Sequence, residues 1–152
     1  SLRAHGQTKR YTHEYIGMNG RLDALQAAIL QVKLKYFPNE IQNRQEVASI
    51  YNTAFGEKAP KVLKDRTHMF AQYTVQVENR EEVIKKLKEV GIPTAVHYPI
   101  PLHKQPVYAS SANLALPISE KLSKHVLSLP MSAFLSEADQ QNIIEIIQEI
   151  LS

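Results

Sequence analysis

A chain of 152 residues with 43% hydrophobic and 22% charged side chains can build one compact domain with a modest core, and its composition is not that of a disordered polymer. Its 18 basic and 15 acidic residues are interspersed and only 7% of residues are aromatic, which argues against the basic, stacking face of a nucleic-acid binder. The absence of cysteine excludes disulfides and thiolate metal sites. No run approaches the roughly 18 apolar residues of a membrane helix, and "SLRAHGQTKR" has no signal-peptide core, so a soluble, cytoplasmic protein is expected.

The opening "SLRAHG" reads as the last turn of a helix closed by Gly6 in a left-handed conformation, which makes a fragment of a longer chain the expectation. From Leu22, the spacing of Leu22, Leu25, Ile29, Val32 and Tyr36 predicts a helix that Pro38 should end. A second helix is expected from Asn39 to about Phe55 on the stripe Ile41, Val47, Ala48, Tyr51 and Phe55, and the two together make a helical hairpin. The polar, Lys-rich stretch from Gly56 to His68 reads as a connector. It divides the chain into residues 1–56, a loop with the hairpin, and residues 57–152, a small α/β domain.

In "AQYTVQV", Ala71, Tyr73, Val75 and Val77 alternate with polar residues, as in a half-buried strand. "NREEVIKKLKEVG" predicts a helix with Asn79 at its start, Gly91 at its end, and Val83, Leu87 and Val90 facing the sheet. A second strand is expected from Thr94 to about Tyr98, stopped by Pro99 and Pro101, and the loop from Pro99 to Pro117 shows no periodicity. A short helix "SEKLSKHVL", a small strand "LSLP" and a final helix capped by Ser136 with Asp139 complete the series. Strand and helix alternate, so the expected fold class is α/β, a small sheet covered by helices.

Two stretches hold candidate chemistry. In "GMNGRLD", Asn19 and Arg21 could add an amide and a planar fork of donors to a helix start, suiting phosphate or carboxylate; the alternative is an ordinary N-cap Asn19 with Arg21 in solvent. In "VHYPIPLHKQPVY", His97 and Tyr98 stand where a strand runs into a proline-stiffened loop carrying His103, Lys104 and Tyr108, which suits a polar ligand. The alternative has Tyr98 capping the core and His97 at the surface. His97 and His103 have no carboxylate nearby in sequence, which disfavours a metal, and His5, His13, His68 and His125 read as surface residues.

Taken together, "HGQTKRYTHEYIGMNGRLDALQAAILQVKLKYF", "AQYTVQVENREEVIKKLKEVGIPTAVHYPIPLHKQPVY" and "LSLPM" resemble the C-terminal portion of the sugar-nucleotide aminotransferases of the DegT/StrS family. Within the family they look most like the branch that aminates UDP-2-acetamido-2-deoxy-3-oxo-glucuronate for bacterial surface polysaccharides such as lipopolysaccharide O-antigen. The resemblance implies the small C-terminal domain of a fold-type I pyridoxal-phosphate enzyme. It also implies a homodimer in which Asn19 contacts the phosphate of pyridoxal 5′-phosphate held by the neighbouring subunit, while Arg21, His97 and Tyr98 line the nucleotide-sugar side. The implied reaction moves an amino group from glutamate to C3 of a UDP-linked 3-keto hexuronate.

One departure matters. Nothing in the chain matches the family's Schiff-base lysine, and the twelve lysines lie at positions expected to be exposed. The large cofactor-binding domain is likewise absent from these residues, so the chain by itself is expected to be inactive. A stand-alone small-molecule-binding regulatory domain and a dimerisation module are the alternatives.

Overall fold

The structure is a computed structural model that describes residues 1–111 and 113–151. The chain forms two compact units, Ser1–Asn39 and Glu40–Ser152, so the segment 1–56 is shared between them.

In the first unit, β1 (Gln7–Lys9) pairs antiparallel with β2 (Thr12–His13), and Ala4 bridges Asn19. Ser1–Gly6 forms a turn but no α-helix: Ala4 N–H and Gly6 N–H both donate to the Ser1 carbonyl, at 2.9 and 3.0 Å, while Met18 N–H bonds to the Leu2 carbonyl at 2.9 Å and His5 N–H to the Met18 carbonyl at 3.0 Å. Gly6 does take a positive φ of 72°, and a Cβ there would lie 1.8 Å from the Tyr15 carbonyl oxygen. Gly17 is equally constrained, since a Cβ would meet Gly6 N at 2.2 Å.

The expected hairpin is a single helix, α1 (Ala24–Phe55), with Pro38 inside it. Proline removes one backbone bond and crowds the preceding turn, at a cost of about 3 kcal/mol. Ending the helix there would leave Asn39 alone to reverse the chain, fewer residues than helix–helix connections use. Helical spacing resumes at once, and Val47, Ala48, Tyr51 and Phe55 are buried on one face of α1.

The second unit is built on β3 (Tyr73–Gln76) and β4 (Val126–Leu129), antiparallel with Tyr73 opposite Leu129, Thr74 opposite Ser128 and Val75 opposite Leu127. Alternation in β3 sends Tyr73, Val75 and Val77 to the core, while Ala71 is exposed. The strand expected at Thr94–Tyr98 shrinks to one bridge, Ala95 with Ser128, closed by bonds of 2.7 and 3.1 Å. Pro93 and Pro99 lack the N–H groups a longer ladder needs.

α2 (Arg80–Glu89) follows Asn79, which adopts φ 49° and makes no side-chain capping bond. Val83 and Leu87 are buried as expected; Val90 is exposed, and Ile92 takes its place in the core. α3 (Pro117–His125) leads into β4, and α4 (Glu137–Leu151) closes the unit. Ser136 Oγ accepts the Asp139 N–H at 3.1 Å and donates to Asp139 Oδ2 at 2.6 Å, the anticipated cap.

Tyr51, Phe55, Tyr73, Leu87, Leu127 and Ile147 form the centre of the core. Tyr51 and Tyr73 pack with ring centroids 4.9 Å apart, their hydroxyls donating to the Pro130 carbonyl at 3.0 Å and to Asn52 Oδ1 at 2.8 Å. Among the described residues, no helix is long and apolar enough to cross a membrane.

Candidate functional site

Asn19 and Arg21 are exposed in the first unit. The Ala4–Asn19 bridge and the Gly20 N–H bond to the Arg3 carbonyl at 2.8 Å pin the backbone around them. Asn19 is not the cap of α1. That place belongs to Asp23, whose Oδ1 accepts the Leu25 N–H at 2.8 Å and whose carbonyl accepts Ala27 N–H at 2.8 Å. The helix mouth thus carries its own carboxylate, and an anion bound by Asn19 and Arg21 would be held by their side chains, four and two residues ahead of the cap. Arg21 Nε donates to Asn19 Oδ1 at 3.4 Å, turning the amide nitrogen of Asn19 into the group left to donate.

His97 and Tyr98 lie in the second unit, at a cleft of about 610 Å³. The Pro99–Pro117 loop supplies one wall through Ile100, Leu102 and Tyr108, and α3 supplies the other through Ser119 and Leu122. An apolar wall with few polar groups is the usual make-up of a small-molecule site, and this volume falls in the usual range. His97 is half-buried, its Nδ1 3.1 Å from Ser128 Oγ, so it is neither a free surface residue nor a core group. Tyr98 is 71% exposed, which rules out a core-capping role. The two rings meet edge to face at 5.5 Å.

Sequence spacing missed a carboxylate near His103. Glu120 on α3 meets His103 Nε2 at 3.1 Å, and His103 is 7% exposed. Glu120 also accepts the Leu116 N–H at 3.3 Å and lies 3.7 Å from Lys104 Nζ. Hydrogen bonding from His103, then from the Leu116 backbone, holds its carboxyl below the ordinary value. His125 departs from the surface expectation too: half-buried, its Nδ1 is 3.2 Å from the Val77 carbonyl and 3.3 Å from Glu78 Oε2. Among the described residues no three His, Asp or Glu side chains converge as a metal site would require. All twelve lysines are exposed, as expected.

The chain is 47% identical over 137 residues to the UDP-2-acetamido-2-deoxy-3-oxo-D-glucuronate aminotransferase of Pseudomonas aeruginosa, covering 88% of this chain and 38% of that protein. It is 42% identical to a pleiotropic regulatory protein of Geobacillus stearothermophilus, over 97% of this chain and 42% of that one. The crystal structure of S. venezuelae DesV, in complex with a ketimine intermediate, superposes with a TM-score of 0.90 at 32% identity, across 99% of this chain and 42% of that chain. The chain therefore spans about two-fifths of the length of these proteins. The model of the DegT/DnrJ/EryC1/StrS aminotransferase family matches residues 1–148, and the chain belongs to that family.

Proposed function

We propose that this chain is the C-terminal part of a sugar-nucleotide aminotransferase that moves an amino group from glutamate to a UDP-linked 3-keto hexuronate in bacterial surface-polysaccharide synthesis. Enzymes of this family use pyridoxal 5′-phosphate, whose ring, when bound, supplies the electron sink that lets an amino group be carried between two substrates. The residues present fit part of such a group. An amide nitrogen free to donate beside a guanidinium suits phosphate oxygens, while the uniformly exposed lysines offer no desolvated amine to anchor the cofactor. The lysine would come from a large domain outside these residues, and the chain alone would be inactive.

In this reading, residues before Glu40 reach across a cytoplasmic homodimer. Asn19 donates to the cofactor phosphate of the sister subunit, and Arg21 offers its fork to an anionic group of the nucleotide sugar. His97 and Tyr98 orient the sugar by hydrogen bonds, while the apolar wall of Ile100, Leu102 and Leu122 excludes water. The observation that carries the proposal is the Asn19–Arg21 contact, which aligns an amide donor and a cation on one backbone-pinned segment.

Asn19→Ala in the full-length enzyme tests it. A charge-assisted contact is worth about 1.5–3 kcal/mol, so cofactor affinity should fall by roughly tenfold or more. Unchanged affinity would remove Asn19 from the site. The regulatory name of the Geobacillus relative favours a second reading, a domain that binds an acidic metabolite and acts on a partner. Restored cofactor absorbance on mixing the chain with its lysine-bearing remainder would decide for the enzyme.

A further inference from the structure

We propose that Ser128, backed by Thr74, is the positioning residue that sets the orientation and tautomer of His97, so that its Nε2–H donates to an oxygen of the nucleotide sugar. The inference rests on the reading of His97 as a substrate-binding group.

Thr74 and Ser128 stand opposite each other in the β3–β4 ladder, so their side chains share one face while Tyr73, Val75, Leu127 and Leu129 fill the core on the other. The hydroxyls are 2.9 Å apart. On its other side β4 is bridged by Ala95, whose N–H and C=O both bond to Ser128. Two residues beyond that bridge, the His97 ring meets Ser128 Oγ at 3.1 Å. Ser128 is 5% exposed, so its hydroxyl must be satisfied by these two neighbours.

With a neutral ring, one ordering of hydrogens keeps every donor of the relay bonded within the protein. If Thr74 donates to Ser128 and Ser128 donates to Nδ1, each hydroxyl hydrogen has an acceptor and the ring hydrogen stands on Nε2. The reverse ordering, Nδ1–H to Ser128 and Ser128 to Thr74, turns the Thr74 hydrogen out to solvent in place of a bond inside the relay, and the half-buried setting of Thr74 favours the first. The first ordering presents Nε2–H as a donor, which selects an acceptor oxygen: a sugar hydroxyl, carbonyl, carboxylate or phosphate.

The test measures the Kd of the full-length holoenzyme for UDP-N-acetylglucosaminuronic acid, unreactive because C3 carries a hydroxyl. His97→Ala should weaken binding about three- to tenfold, the range of one neutral hydrogen bond, and Ser128→Ala should reproduce most of that loss. The double variant should lose no more than His97→Ala alone, because the hydroxyl acts only through the ring. Thr74→Val should show a smaller loss that Thr74→Ser restores, and this pair reads the same relay if Ser128→Ala does not fold. Wild-type affinity in Ser128→Ala or Thr74→Val beside a weakened His97→Ala would overturn the inference and leave the site reading standing. Wild-type affinity in His97→Ala would overturn both.

Discussion

Glu120 and His103, seventeen residues apart, meet at 3.1 Å and fasten the proline-rich loop to α3, the two walls of the cleft at His97. Because Glu120 also takes the Leu116 N–H, one carboxylate both closes the start of α3 and holds the loop. Its folded-state pKa is lowered, first by His103, so its stabilising effect is present above the ordinary carboxylate value and lost as pH falls through the lowered one. Protection factors of the Lys104 and Gln105 amides, exchange rates corrected for the intrinsic slowing in acid, should therefore fall below about pH 4.5. Glu120→Gln should raise exchange at neutral pH and flatten that acid dependence; an unchanged acid response would place the titrating group elsewhere.

The two core tyrosines predict the opposite limb. Burial pushes Tyr51 up to about 12 and raises Tyr73 as well, helped by the neighbouring Tyr51. Both stay neutral in the folded state after an unfolded tyrosine, with its pKa near 10, begins to ionise. Raised acids of this kind give stability that is complete below about pH 10 and is lost as pH rises toward 12. Urea midpoints should fall across that window. Tyr73→Phe should weaken the alkaline loss while costing about 1 kcal/mol at pH 7 for the bond to Asn52.

Legibility in the sequence followed the range of the interaction. β3, α2 and α4 could be read because period and caps are local, as with Ser136 and Asp139 three residues apart. Pro38 misled because its local penalty says nothing of the helical pattern that resumes beyond it to bury Val47 and Tyr51. The strand expected at Thr94–Tyr98 is cut to a single bridge for want of donors at the flanking prolines, a signal the sequence does carry. Gln140 sits 2% exposed in the apolar stripe of α4, donating to the Val47 carbonyl at 2.7 Å, and nothing in its spacing distinguishes it from a surface glutamine. At the candidate site, His97 was visible but its support was not, since Thr74 and Ser128 are 54 residues apart. One clue was available: both lie on the polar side of alternating segments, "YTV" and "LSL", which antiparallel pairing brings face to face.

The glycine pair that shapes the first unit should be intolerant. Gly17→Ala sets a Cβ 2.2 Å from Gly6 N and 2.6 Å from the Leu2 carbonyl oxygen, backbone atoms that cannot swing away. The His5–Met18 and Met18–Leu2 bonds would have to part, freeing the segment that carries Asn19. Exchange at His5 and Met18 should rise by at least about tenfold in Gly17→Ala, the effect of losing roughly 1.4 kcal/mol of protection. Gly20→Ala is the control, because its Cβ would come no nearer than 3.4 Å to the Arg3 side chain. Equal exchange in the two variants would mean the close approach at Gly17 is relieved at little cost.

The start of α1 carries the last expectation. Leu25, Ile29, Val32 and Tyr36, on the stripe whose spacing predicts the helix, are 71%, 54%, 56% and 61% exposed in this chain. Leu22, Leu30 and Leu34 are bare as well, at 56%, 54% and 68%. Bare apolar side chains on both faces of the helix favour association, so the 152-residue chain should self-associate in a concentration-dependent way, with a mass by light scattering above 17.2 kDa. Ile29→Lys with Val32→Glu should reduce that mass without lowering the stability of the core around Tyr51, because neither side chain belongs to it. A monomer at every concentration would show that this face is tolerated in water.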